Sequence, residues 1–400
     1  MTDSWTSPWT CPFCPLLCST AGVRPGPQLA PAGGSCRRAA GGLARFADTP
    51  SAATPRVAGR AATLDEAVAE AARLLAAAGQ PLFGGLGTDV AGARALYPLA
   101  CATGAICDAA GGAVLFEGVR AQQDRGGFTT TIAEVATRAD LLLRITPDTD
   151  ASPADDVRDL LDRCGEPGPE LLALPVEAGD LFDTLALLAA LAEGRGAVRA
   201  RAPAALVEVA DRLRAARYAV LVYETRRLPA HGGLAIEALQ RTVAALNRST
   251  RAAALGLGGG DGAYTVNQVF TWLSGLPLRS RAGPAGLEHE PLRFDARRLL
   301  ADGAADVLLW LSSFGVLPVP AEAAGVPRIV IGHPEQAASD ADDGDAVFIP
   351  VSTPGIGSAG HLFRADGSVV LPLRPLYDDT LPTAADVLRR ITQALPQGHS

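Results

Sequence analysis

Asp140-Leu141-Leu142-Leu143-Arg144-Ile145 is a short, almost unbroken apolar run, and it follows helical patterning over Glu134-Val135-Ala136-Thr137-Arg138-Ala139. A strand with apolar side chains on both faces is covered on both faces, as the strands of a parallel sheet are. Similar runs recur at Pro81 to Gly84, Leu171 to Val176, Tyr218 to Tyr223, Val307 to Leu311, Arg328 to Gly332 and Ala346 to Val351. Helical patterns lie among them at Leu181 to Ala192, Ala204 to Ala215, Ala235 to Asn247, and Ala384 to Leu395 with Thr383 as its cap. This alternation predicts an α/β fold, multi-lobed, with doubly wound and mostly parallel sheets.

Local signals sharpen the outline. Thr63-Leu64-Asp65-Glu66 reads as a capping box opening a helix whose inner face is Leu64, Val68, Ala71, Ala72 and Leu75, with Gly79 just beyond its end. Asp366-Gly367 reads as a hairpin turn between Leu362 to Arg364 and Val369 to Leu373. Arg279 to Glu290 and Gln336 to Asp345 read as surface loops. Glycines 84, 85 and 87 and the run Gly256 to Gly262 read as plain turns, since neither forms G-x-G-x-x-G in front of a helix.

At 400 residues the chain is long enough for two or three lobes. Hydrophobic residues make up 48% and aromatics 5%, so Ala, Leu and Val must build the core. A net charge of −8 leaves no excess of cations to displace phosphate counterions, which excludes a nucleic-acid partner. All 35 basic residues are Arg, so Schiff-base, catalytic and phosphate-loop lysines are excluded together. The Met-Thr-Asp-Ser-Trp start carries no targeting signal and Leu181 to Ala192 is too short to cross a bilayer, so no membrane role and a cytoplasmic location are expected.

Four of the seven cysteines are crowded near the start: Cys11-Pro12-Phe13-Cys14-Pro15-Leu16-Leu17-Cys18, then Cys36, spaced C-x2-C-x3-C-x17-C. Residues 1–55 therefore read as a Cys-rich module ahead of interleaved α/β lobes over 56–400. Cys11, Cys14, Cys18 and Cys36 are the candidate metal ligands, and the spacing leaves open a [4Fe–4S] cluster, zinc, or thiols that only pack. Cys101, Cys107 and Cys164 read as ordinary buried thiols.

With these motifs the chain resembles the B-subunit family of formylmethanofuran dehydrogenase, and more particularly its counterpart in the formyltransferase/hydrolase complex of methylotrophic bacteria. The resemblance runs from the Cys-Pro-x-Cys-x-x-x-Cys motif and Ser35-Cys36-Arg37 through Glu134 to Asp140. It continues in Asn267-Gln268-Val269-Phe270-Thr271-Trp272-Leu273-Ser274-Gly275-Leu276-Pro277, its most specific piece. Asp345 to Pro350, Ser358 to His361 and Arg364 to Gly367 look like the closing pattern of molybdenum and tungsten pterin enzymes in general. The resemblance implies a pterin-oxidoreductase-type fold. In redox-active relatives the first cysteines hold a [4Fe–4S] cluster, and a Cys or selenocysteine followed by His serves the pterin metal.

This chain departs from that pattern where the redox chemistry resides. Counting back from Glu134 to Asp140 puts the ligand position at about Val114 and its His at about Leu115, and neither side chain can ligate tungsten or move a proton. Thr146-Pro147-Asp148-Thr149-Asp150 sets acids where relatives turn toward the pterin pyrophosphate. A tungsten or molybdenum pterin is therefore not expected, and the vacated cavity should be filled, because an empty apolar space costs about 24 cal/mol per Å³. His231, His289, His333, His361 and His399 form no zinc-binding pair, Glu288-His289-Glu290 reads as a solvated loop, and Ser312-Ser313 lacks a nucleophile elbow. The resemblance thus implies a structural, non-redox role alongside partner A, C and D subunits. The complex would pass a formyl group from formyltetrahydromethanopterin through methylofuran to formate. The alternative is a working dehydrogenase chain with a tungsten or molybdenum pterin and a [4Fe–4S] cluster.

Overall fold

The computed structural model describes residues 8–20, 22–33, 36–48, 53–146, 155–164, 166–176, 180–338 and 346–396. Pro147 to Asp150, most of the loop read at Gln336 to Asp345, and His399 lie outside the described residues. The fold is mixed α/β with parallel sheets, and the chain divides into two compact units, residues 1–112, 259–364 and 370–400 in one and residues 113–258 and 365–369 in the other.

The first unit is built on a nine-stranded sheet. Its parallel core runs in spatial order Ile106–Cys107, Pro81–Gly87, Val307–Ser312, Arg328–Gly332 and Ala346–Pro350. Almost every residue of these strands is buried, as their unbroken apolar character requires. The glycines read as turns at 84, 85 and 87 lie inside the first long strand instead. They make room for an aromatic ring, since a Cβ on Gly84 would stand 2.8 Å from Trp310. Gly85 has φ +73°, and the pairing register shifts between Trp310 and Ser312 alongside it.

Two of the helices over this sheet stand where the sequence placed them. Thr63 caps Leu64–Ala77 through the capping box with Glu66, and Thr383 caps Ala384–Ala394, which packs on Leu64–Ala77 and on Val90–Thr103. The loop expected at Arg279 to Glu290 is a hairpin: Ser280–Gly283 pairs antiparallel with Gly286–His289 and borders Ile106–Cys107. Gly286 at φ +114° permits the turn, and Arg281 faces Glu288 across it with Nε 2.9 Å from the carboxylate. The hairpin predicted around Asp366-Gly367 forms, Gly360–Phe363 against Val370–Leu373.

The second unit carries a four-stranded, wholly parallel sheet in the order Glu170–Ala173, Leu141–Ile145, Tyr218–Glu224 and Arg251–Leu257. The last of these gave no strand signal, because Arg-Ala-Ala-Ala-Leu-Gly-Leu lacks β-branched residues, and it is fixed by pairing with Tyr218–Glu224 along its whole length. The carboxylate of Asp140 accepts from the backbone N–H of Arg217 and of Tyr218 at 2.9 Å each, setting the register between the two central strands. Helices Leu181–Ala192, Ala204–Ala215 and Gly232–Leu246 bury Leu185, Leu188, Leu213 and Leu239 against one another and the sheet.

Candidate functional site

The cysteine loop is stitched to the first unit. Trp9–Thr10 pairs with Ser19–Thr20, the Cys11 N–H donates to the Cys18 carbonyl at 2.9 Å, and Leu17, at φ +46°, donates to the Cys14 carbonyl at 3.2 Å. Trp9 is fully buried, and its indole N–H reaches the Gly355 carbonyl at 2.8 Å. Cys11 and Cys14 are buried, while Cys18 and Cys36 are half-buried.

Three of these thiols are neighbours. A hydrogen bond with Cys18, burial, and repulsion from Cys11 and Cys18 push the Cys14 thiol far above the usual range. Cys36 acts differently, for its Sγ accepts from the Ala39 N–H at 3.4 Å and caps the helix Arg37–Leu43. The donor chemistry suits a thiophilic metal. As they stand, no three His, Cys, Asp or Glu side chains among the described residues are gathered as a metal site.

Val114 and Leu115, where the resemblance counts the ligand position of redox-active relatives, fall inside a helix, Gly112–Arg125. The side chain of Val114 lies outside the described residues, and Leu115 is half-buried. Ahead of this helix, Asp108 is buried in an ion triad. The Arg279 guanidinium gives Nε to Asp108 at 3.2 Å, a second nitrogen to Asp295 at 2.5 Å, and a third to the Pro291 carbonyl at 2.6 Å. Burial outweighs the pull of Arg279 and lifts the Asp108 carboxyl to about 6.

Of the remaining cysteines, Cys107 is buried, and burial raises its thiol. Cys101 and Cys164, expected to be buried, are exposed and half-buried: Cys101 lies on the helix Val90–Thr103, and Cys164 in the bend that follows Asp155–Leu161. Glu288 and His289 belong to the edge hairpin rather than to a free loop. Ser312 at the strand end donates to the Gly315 carbonyl at 2.7 Å, a structural tie.

Beyond the ends of Arg328–Gly332 and Ala346–Pro350 lies a cavity of about 350 Å³, bordered by Arg45, Phe46, His333, Glu335, Tyr377 and Asp379. His333 follows one strand directly and is 2% exposed. Burial and then the Arg45 charge lower its pKa to about 4, so the ring is neutral near pH 7. Burial followed by the neighbouring Asp379 lifts the Tyr377 hydroxyl to about 12. Nothing in the sequence marked these residues, since they come from separate segments and only the sheet topology gathers them.

The chain has a curated counterpart. It is 34% identical over 361 residues, 85% of this chain and 97% of the relative, to the Fhc B subunit of the formyltransferase/hydrolase complex of Methylorubrum extorquens. The chain belongs to this B-subunit family. Its structure is similar to a chain in the X-ray crystal structure of the formyltransferase/hydrolase complex (FhcABCD) from Methylorubrum extorquens in complex with methylofuran. There the TM-score is 0.75 and the identity 32%, covering 85% of this chain and 98% of that one. No protein-family model matches the chain. Membership of the B-subunit family accords with the motifs at Cys11 to Cys18, Glu134 to Asp140 and Asn267 to Pro277. Among the described residues no helix is long and apolar enough to cross a membrane.

Proposed function

We propose that this chain is the B subunit of a formyltransferase/hydrolase complex, assembled with A, C and D subunits. That complex transfers a formyl group from formyltetrahydromethanopterin through methylofuran to formate in the cytoplasm. The observation that carries the reading is the match over nearly the full length of an Fhc B subunit, both in sequence and in fold. In this reading the α/β body keeps a pterin-oxidoreductase-type plan with a Cys-rich start, and the chemistry belongs to the partner subunits.

A working dehydrogenase chain would need a soft donor where this one has Val114 and Leu115. Hydrocarbon side chains supply neither a ligand nor a proton relay. The test is to co-express the chain with the A, C and D subunits, one of them tagged, and to purify. Stoichiometric co-elution with formyltransferase and hydrolase activity supports the reading. Recovery of the chain alone, or of a complex that reduces a redox dye with formate, would overturn it.

A further inference from the structure

The cavity beyond Arg328–Gly332 and Ala346–Pro350 carries the features of a built ligand site. Open parallel sheets bind ligands off the carboxyl ends of their strands, and about 300 Å³ is the lower bound for a small-molecule pocket, which this volume of about 350 Å³ meets. Among the described residues Arg45 makes no ion pair. Its guanidinium is held by the Gly42 carbonyl at 3.5 Å from Nε and by the Phe13 ring at 5.6 Å. Arg45 is half-buried, and an anion entering the cavity would form the close ion pair that Glu335 and Asp379, elsewhere on the wall, do not make with it.

His333 supplies the second contact. Its Nδ1 accepts from the Glu335 N–H at 3.2 Å, so the neutral ring carries its proton on Nε2, which has no hydrogen-bond acceptor among the described residues. The backbone thus fixes the tautomer with its donor on Nε2, on a ring that borders the space. Phe46, Val351, Leu381 and the Tyr377 ring add apolar wall. The acids Glu335 and Asp379 also border the cavity, and a second negative charge on the ligand would face them.

We propose that this cavity binds a small monocarboxylate with an apolar or aromatic body, its carboxylate shared by Arg45 and the His333 Nε2–H. The site is independent of the formyl-transfer reading, because it rests on the cavity of one chain and is read by binding alone.

The test uses the full chain, titrated by calorimetry with benzoate, butyrate, succinate and inorganic phosphate. Benzoate or butyrate should bind saturably, and the ring-nitrogen NMR signal of His333 should report a pKa raised from about 4 by the bound anion. Arg45→Gln should weaken binding at least about tenfold, the scale of one charge-assisted contact. Arg45→Lys should recover part of it, and unchanged far-UV circular dichroism would show both variants folded. No binding at millimolar monocarboxylate, equal binding by Arg45→Gln, or succinate and phosphate binding as tightly as benzoate would each overturn the proposal.

Discussion

Asp108, Arg279 and Asp295 show how one arginine can hold a fold together at a cost. Arg279 and Asp108 are both nearly inaccessible, and the backbone at Arg279 has φ +63°, a conformation an L-residue adopts only under constraint. Asp108 also accepts from the Ala296 N–H at 2.9 Å, so this carboxylate fixes a helix start as well as the guanidinium. Its pKa is raised by burial from 3.8 to about 6, which means that the folded chain binds this proton more tightly than the unfolded one. The contribution to stability is full below pH 4 and is lost as pH rises through 6, at about 1.4 kcal/mol for each unit of difference. Urea unfolding followed across pH 4 to 7 should show this decline, and Asp108→Asn should flatten it; an equal slope in both proteins would sink the assignment. Arg279→Ala, by contrast, leaves two carboxylates facing each other without a cation, and should cost about 3–5 kcal/mol in the same assay.

At the scale of elements, the helix ends are where sequence and structure agree most closely, because a cap is decided by residues three apart. Thr63 and Glu66 form the reciprocal pair the sequence announced, with the Glu66 carboxylate 2.8 Å from the Thr63 N–H. Thr63→Ala should lower stability by about 1 kcal/mol, visible as a lower midpoint in thermal unfolding. Asp89 was not recognised as a cap, although its carboxylate takes the Gly92 N–H at 2.9 Å and the His361 N–H at 3.3 Å. The second contact spans most of the sequence and leaves no local trace. Asp89→Ala should therefore cost more than Thr63→Ala, about 2 kcal/mol, since a buried cap and a tie to the Gly360–Phe363 strand go together; an equal or smaller loss would show that the His361 contact adds nothing. The long parallel strands were legible for the same reason as the caps, their signal lying in consecutive residues. Arg251–Leu257 and the Ser280–His289 hairpin were not, because pairing with distant strands fixes them. Gly84 belongs to this second class: it looked like a turn, and only the Trp310 ring packed over it explains the missing side chain. The cavity around Arg45 and His333 was invisible in the sequence on the same grounds.

At the scale of the whole molecule, the cysteine loop and the Val114-Leu115 position bear together on what the chain can hold. The loop carries Cys11, Cys14, Cys18 and Cys36 at cluster-like spacing. A metal binds thiolates, so loading such a loop must first release protons, and the cost rises with each thiol whose pKa is raised. Cys14, bonded to Cys18 and crowded by Cys11 and Cys18, resists ionisation, and Cys36 would have to give up its helix cap. Purified complex should accordingly contain tungsten, molybdenum, iron and acid-labile sulfide only far below one equivalent per copy of this chain. Exchange of Cys14 and Cys36 for Ser should leave assembly with the A, C and D subunits unchanged. Elemental analysis alongside size-exclusion chromatography reads both outcomes. Iron and sulfide at cluster stoichiometry, lost together with assembly in the double variant, would mean that the loop holds a cluster and that this group organises the complex.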